Sequence, residues 1–104
     1  MINQYKQVNM DIKKILNGVD YKGKFNDFDV KNISYDSRKV TNGTLFVAVK
    51  GKNFDGHDFI LEAINKGANI IVSEKRQAIE SNIPIIIVKN SRKALSRLAS
   101  NFYE

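Results

Sequence analysis

Ser37, His57 and either Asp36 or Asp58 supply the side-chain types of a hydrolytic triad, in which a base takes the proton of a serine and a carboxylate orients the base. No Gly-x-Ser-x-Gly turn surrounds Ser37, so nothing in the sequence marks that serine as activated. Two segments come near the phosphate-cradling P-loop, which needs spaced glycines, a lysine and a magnesium-binding hydroxyl between a strand and a helix. In Gly18–Phe25 the glycines and Lys24 are in place, but Phe25 stands where the hydroxyl belongs and a helical segment precedes it. In Gly51–Gly56 the spacing is right, yet His57-Asp58 replaces the lysine and hydroxyl, and Asp55 and Asp58 repel a phosphate at a helix start. Recognition of a polar planar ring suits these residues better. Ser37 and Asn53 carry both donor and acceptor capacity, which fits a uracil-like amide edge, and Phe54 or Tyr35 has the flat face to cover it. Asp36 and Arg38 are as well suited to fixing the loop by ion pairing or backbone hydrogen bonds as to touching a ligand; extended backbone sets them and Ser37 on opposite faces. His57 is expected to help start its helix or to sit in solvent.

The elements that must position these residues follow from the apolar pattern. Leu45–Val49 is apolar without interruption and too short for a helix, which predicts a strand buried on both faces. The glycine-bounded loop after it then lies at a strand's carboxyl end, where open α/β sheets bind ligands. A helix is predicted over His57–Lys66, with Phe59, Ile60, Ala63 and Ile64 as its apolar stripe and Gly67 as its stop. Asn69–Ser73 reads as a second buried strand, so strand, helix and strand form one parallel βαβ unit. Pro84 opens a third apolar run, Ile85–Val88, and Asn90-Ser91 caps a helix whose stripe is Ala94, Leu95, Leu98, Ala99 and Phe102. Before the central stretch, Met10–Asn17 reads as a short helix stopped by Gly18, Val19–Asp29 as turns, and Val30–Tyr35 as a half-exposed strand. Residues 1–9 carry no periodicity and are expected to be a flexible extension. The fold class is therefore α/β, a single small domain over residues 10–104 with a mixed, mainly parallel sheet flanked by helices.

At 104 residues the chain is long enough to bury a core without staples. It has no cysteine, which excludes thiolate zinc sites and cysteine nucleophiles, and its one histidine would leave a zinc ion dependent on carboxylates. No apolar run has the length of a signal peptide or a membrane span, so a cytoplasmic location without membrane contact is expected. With 17 Lys and Arg against 11 Asp and Glu the chain favours anionic partners, but the charges are scattered singly. Only Lys50/Lys52 and Arg92/Lys93/Arg97 approach the basic stripe of a nucleic-acid binder.

Asp36-Ser37-Arg38-Lys39-Val40, Gly43-Thr44-Leu45-Phe46-Val47-Ala48, Gly51, Asp55–Ile60, Ala63 and Gly67-Ala68 together resemble the amino-terminal domain of the Mur ligases, which build the peptidoglycan peptide on a UDP-N-acetylmuramoyl carrier. Ser91–Leu95, Leu98-Ala99 and Phe102-Tyr103 are more similar to the tripeptide-forming, MurE-type members, which add a diamino acid such as meso-diaminopimelate or L-lysine to UDP-N-acetylmuramoyl-L-alanyl-D-glutamate. The resemblance implies that this domain holds the UDP end of the substrate. Carried over by position, Ser37 bonds the uracil, the backbone near Tyr35 lines the same pocket, and Lys52, Asn53 and Phe54 pack around the uridine, although members vary at these three. Asp36, Arg38, Asp55 and Gly56 take structural parts. It also implies that ATP, Mg and all catalytic residues belong to central and carboxyl-terminal domains absent from these 104 residues, so that this chain alone is inactive in an ATP-dependent acid–amino-acid ligation. Two alternatives stay open: the same domain of the pentapeptide-forming, D-alanyl-D-alanine-adding ligase, and a small basic nucleic-acid-binding domain.

Overall fold

The apolar run after the Asn42-Gly43 turn becomes β4 (Thr44–Val47), every residue of which is buried. In the computed structural model, which describes residues 9–103, it lies second in a four-stranded parallel sheet of order β3-β4-β5-β6. Its neighbours are β3 (Asn32–Ser34) and β5 (Ala68–Ser73), and β6 (Ile85–Ile87) pairs with the far side of β5. A strand with both faces covered needs no polar alternation, which is why β4 and β5 read as continuous apolar runs. The two-residue alternation of direction persists all the same. Leu45, Val47 and Val49 join Ile70, Val72, Ile86, Leu98 and Phe102 in the core on one face, while Phe46 and Ala48 join Ile60, Ala63 and Ile71 on the other.

Helices close both faces. α1 (Ile12–Ile15) and α3 (Ser91–Tyr103) cover the first, and α2 (Ile60–Asn65) covers the second as the crossover between β4 and β5. α3 buries Ala94, Leu98 and Phe102 as its spacing predicts, and the Asn90 side chain accepts a hydrogen bond from the Lys93 N–H at its start. Near its other end, Asn101 Nδ2 donates to the carbonyls of Ile15 (2.7 Å) and Asn17 (2.8 Å), fastening α3 to α1. Gly67 ends α2 at φ +115°, with the Asn42 backbone where a side chain would sit. No helix among the described residues is long and apolar enough to cross a membrane.

Several local expectations need correction. Met10 and Asp11 are extended, not helical, and form β1, which pairs antiparallel with β2 (Asp29–Val30). Asp11 accepts the Lys13 N–H instead, so the helix starts two residues later, at Ile12, and is a single turn. The strand read over Val30–Tyr35 is broken between β2 and β3, where the Lys31 N–H donates to the Gly43 carbonyl. The helix read from His57 opens as a 3-10 turn over Gly56–Phe59 and becomes α-helical only at Ile60. Lys22 in the turn-rich segment exchanges two backbone hydrogen bonds with Ile87 at the free edge of β6. The flexible extension expected over residues 1–9 lies, except for Asn9, outside the described residues.

Candidate functional site

Because all four strands of the main sheet are parallel, their carboxyl ends meet at one edge, and the segments after β3 and β4 leave it side by side. After β3 the chain turns sharply. Ser34 Oγ accepts the Asp36 N–H (3.0 Å) and donates to the Asp36 carbonyl (2.9 Å), and Asp36 caps a 3-10 turn over Ser37–Lys39. The Asp36 carboxylate takes the Arg38 backbone N–H and Nε, each at 3.0 Å, on one oxygen and Nη2 at 2.9 Å on the other. The extended geometry considered for this tripeptide is thus replaced by a turn, and Asp36 and Arg38 pair with each other. Hydrogen bonds from the Arg38 side chain, then from its backbone N–H, lower the Asp36 pKa from 3.8 to about 2. Since the folded value lies below the unfolded one, the contribution of this pair is present above about pH 4 and is lost as the pH falls through about 2. A carbon-13 titration of the Asp36 carboxyl is expected to show its midpoint near 2, moving up toward 3.8 in Arg38→Ala.

After β4 the chain forms a tight loop. The Gly51 N–H donates to the Phe54 carbonyl (2.7 Å) and the Gly56 N–H returns to the Val49 carbonyl (2.9 Å). Asp55 Oδ1 accepts the His57 N–H at 3.0 Å and faces the His57 ring Nδ1 at 2.7 Å. These two bonds, the backbone one first, hold the Asp55 carboxyl below its ordinary pKa. His57 Nε2 accepts the Glu74 N–H at 3.0 Å, and the side chain is only 8 % exposed. Of the two expectations for His57, a place in solvent is overturned, while its N–H does lie in the first turn of the helical segment, capped by Asp55. Both ring nitrogens are engaged, which leaves neither free to act as a base toward Ser37. The carboxylate of Asp55 fills the place a phosphate would take at this turn, in keeping with the rejection of Gly51–Gly56 as a P-loop. No group of three or more acidic or imidazole side chains able to hold a metal ion occurs among the described residues.

Between the two loops, on the α2 side of the sheet, lies a cavity of about 610 Å³. It brings together Tyr35, Ser37 and Phe54, with Asp36, Arg38 and Gly56 also in its wall. Lys52 and Asn53 do not line it and are exposed at the loop tip, and Asp55 lies behind the wall against His57. Phe46, Phe59 and Glu62 complete the lining and were not singled out by sequence. The direction of Phe46 follows from the two-residue period of β4, and Phe59 and Glu62 fall three apart on one helical face. Phe59 is 36 % exposed, not buried in the stripe assigned to it, and meets Phe54 edge to face with ring centroids 6.1 Å apart. The chemistry of the cavity lies in Ser37. The residue is only 7 % exposed, and its hydroxyl has no hydrogen-bond partner among the described residues. A hydroxyl open to a cavity lined by four aromatic rings can hold the polar edge of a flat molecule. A broader depression of about 1030 Å³ beside the amino ends of β5 and β6, walled by Tyr21, Phe25 and Phe28, contains none of these residues.

The chain is 44% identical over 97 residues to the UDP-N-acetylmuramoyl-L-alanyl-D-glutamate–2,6-diaminopimelate ligase of Clostridioides difficile, a match covering 90% of this chain and 20% of that protein. It is 50% identical over 80 residues to the protein of the same name from Cytophaga hutchinsonii, covering 75% of this chain and 16% of that one. Among solved structures, the UDP-N-acetylmuramoylalanyl-D-glutamyl-2,6-diaminopimelate–D-alanyl-D-alanyl ligase of Acinetobacter baumannii superposes with a TM-score of 0.78 over 95% of this chain and 22% of that chain. At 22% identity that likeness speaks for the fold. The chain spans about a fifth of the length of the curated relatives it matches. The model of the Mur ligase family, catalytic domain, matches residues 29–103, a span that takes in all four parallel strands, both loops and the cavity, and the chain belongs to the Mur ligase family.

Proposed function

We propose that this chain is the domain of a tripeptide-forming Mur ligase that holds the uridine end of UDP-N-acetylmuramoyl-L-alanyl-D-glutamate, in a protein whose remaining domains add a diamino acid at the expense of ATP. The observation that carries the reading is Ser37, a buried residue whose hydroxyl has no partner among the described residues, in the wall of a cavity with Tyr35, Phe54 and Phe59 at the carboxyl edge of a parallel sheet. In this reading Ser37 bonds the uracil edge and an aromatic ring covers its face. Lys52 and Asn53, above the rim, meet the ribose and diphosphate. Asp36, Arg38, Asp55 and Gly56 hold the two loops in place. ATP and Mg act in the remaining domains, and the reaction takes place in the cytoplasm. The chain alone is inactive as a ligase. Curated relatives from 40% to 50% identical carry the diaminopimelate-adding name, so the pentapeptide-forming and nucleic-acid alternatives are not favoured.

An amide NMR titration with UDP tests this, with adenosine diphosphate as control. Saturable shifts at Ser37 and across Lys52–Phe54 are expected with UDP alone, at millimolar to high-micromolar affinity, which corresponds to about 4 to 6 kcal/mol. Ser37→Ala is expected to weaken binding about fivefold while leaving the fold intact, as the loss of one neutral hydrogen bond does. A folded chain that does not respond to UDP would overturn the reading.

A further inference from the structure

His57 stands outside the cavity, yet its ring joins three elements. Asp55, on the loop that carries Phe54, faces Nδ1 at 2.7 Å. The backbone N–H of Glu74, just past the end of β5, donates to Nε2 at 3.0 Å. The Glu74 carboxylate goes on to accept both the backbone N–H (2.7 Å) and the hydroxyl (3.1 Å) of Ser91, the first residue of α3. A backbone N–H can only donate, so Nε2 must be unprotonated and Nδ1 must carry the proton toward Asp55. The network thus assigns one neutral tautomer.

The cavity wall needs such a tie. Phe54 is 57 % exposed, so little burial holds it, and its loop is otherwise pinned by the hydrogen bonds Gly51 to Phe54 and Gly56 to Val49 and, at its start, by Arg92 Nη2 of α3 donating to the Lys50 carbonyl at 3.0 Å. Any motion left in that wall must be frozen out by the ligand, at the cost of affinity. We propose that His57, as the neutral Nδ1–H tautomer, is a positioning residue for this cavity, tying the wall that carries Phe54 and Gly56 to the end of β5 and, through Glu74, to α3. The proposal deepens the uridine reading and rests on it for its effect on affinity; its effect on the wall is measured without ligand.

The test combines imidazole nitrogen NMR, amide hydrogen exchange and UDP titration on the 104-residue chain and three variants. His57→Asn keeps a polar group near the Nδ1 position only, His57→Gln places a carbonyl near the Nε2 position, and His57→Phe removes both. The wild-type ring is expected to show a protonated Nδ1 and an unprotonated Nε2. In His57→Asn the amides of Glu74 and Gly56 are expected to exchange about fivefold faster and UDP to bind about fivefold more weakly, with recovery toward wild type in His57→Gln. Should His57→Phe fail to fold, the Asn and Gln pair still decides. An Nε2–H tautomer in the wild type would overturn the proposal. So would a Gly56 amide and a UDP affinity in His57→Asn equal to those of the wild type. If the wild-type chain ignores UDP, the uridine reading fails, and the Gly56 amide alone decides the positioning role: faster exchange in His57→Asn supports it and unchanged exchange overturns it.

Discussion

Phe46→Ala is expected to destabilise the chain by about 3–5 kcal/mol, a large part of the roughly 5–15 kcal/mol by which a domain of this size exceeds its unfolded state. Phe46 is fully buried, sits on β4 between β3 and β5, and packs with Ala48, Ile60, Ala63 and Ile71 under α2. The ring also forms part of the lining of the candidate cavity. Urea unfolding of the variant and the wild type, compared at equal m-values, measures the difference. A loss below about 1 kcal/mol would mean that Phe46 is not the packing centre of this face.

Gly56→Ala is the second large effect. The glycine does not have a positive φ, so the argument is one of space. A Cβ at this position would lie 2.7 Å from the Val49 nitrogen and 2.9 Å from its oxygen, both backbone atoms. β4 has little room to retreat there, since the Ala48 N–H is bonded to the Val72 carbonyl at 2.8 Å. The loop must move instead and give up the Gly56 to Val49 hydrogen bond, which sets an expected cost of about 1–3 kcal/mol. Because Gly56 also lines the cavity, UDP binding by the still-folded variant is expected to fall below that of Ser37→Ala. A variant with wild-type stability and wild-type UDP affinity would show that the loop is not held against β4.

What the sequence discloses and what it withholds divide along the separation of partners. The strands β4, β5 and β6 and the helix α3 depend on local apolar runs and spacing, so they are legible to within a residue or two at their ends. The Ser37 turn and the Gly51–Gly56 loop are legible as neighbours, the walls of a candidate site, because a sheet of parallel strands must expose its carboxyl ends. By contrast, β1 and β2 are two residues each, too short for any period to register, and exist only because they pair with each other. The bond from Glu74 to His57 spans 17 residues and leaves no local pattern, which is why a buried, doubly bonded imidazole resembled a solvent-facing one. Phe59 shows the converse failure. Its spacing matches the α2 stripe, but the 3-10 turn at the start of that helix rotates it out of register and into the cavity.

The two hydrogen bonds from Asn101 to the carbonyls of Ile15 and Asn17 join residues 86 and 84 positions apart. A chain emerging from the ribosome carries Ile12, Ile15 and Leu16 long before Leu98 and Phe102, the residues they pack with, have been made. The βαβ unit of β4, α2 and β5 meets no such delay, since its partners lie within a few dozen residues. α1 thus stands much further along the chain from its partners in α3 than β4 does from β5.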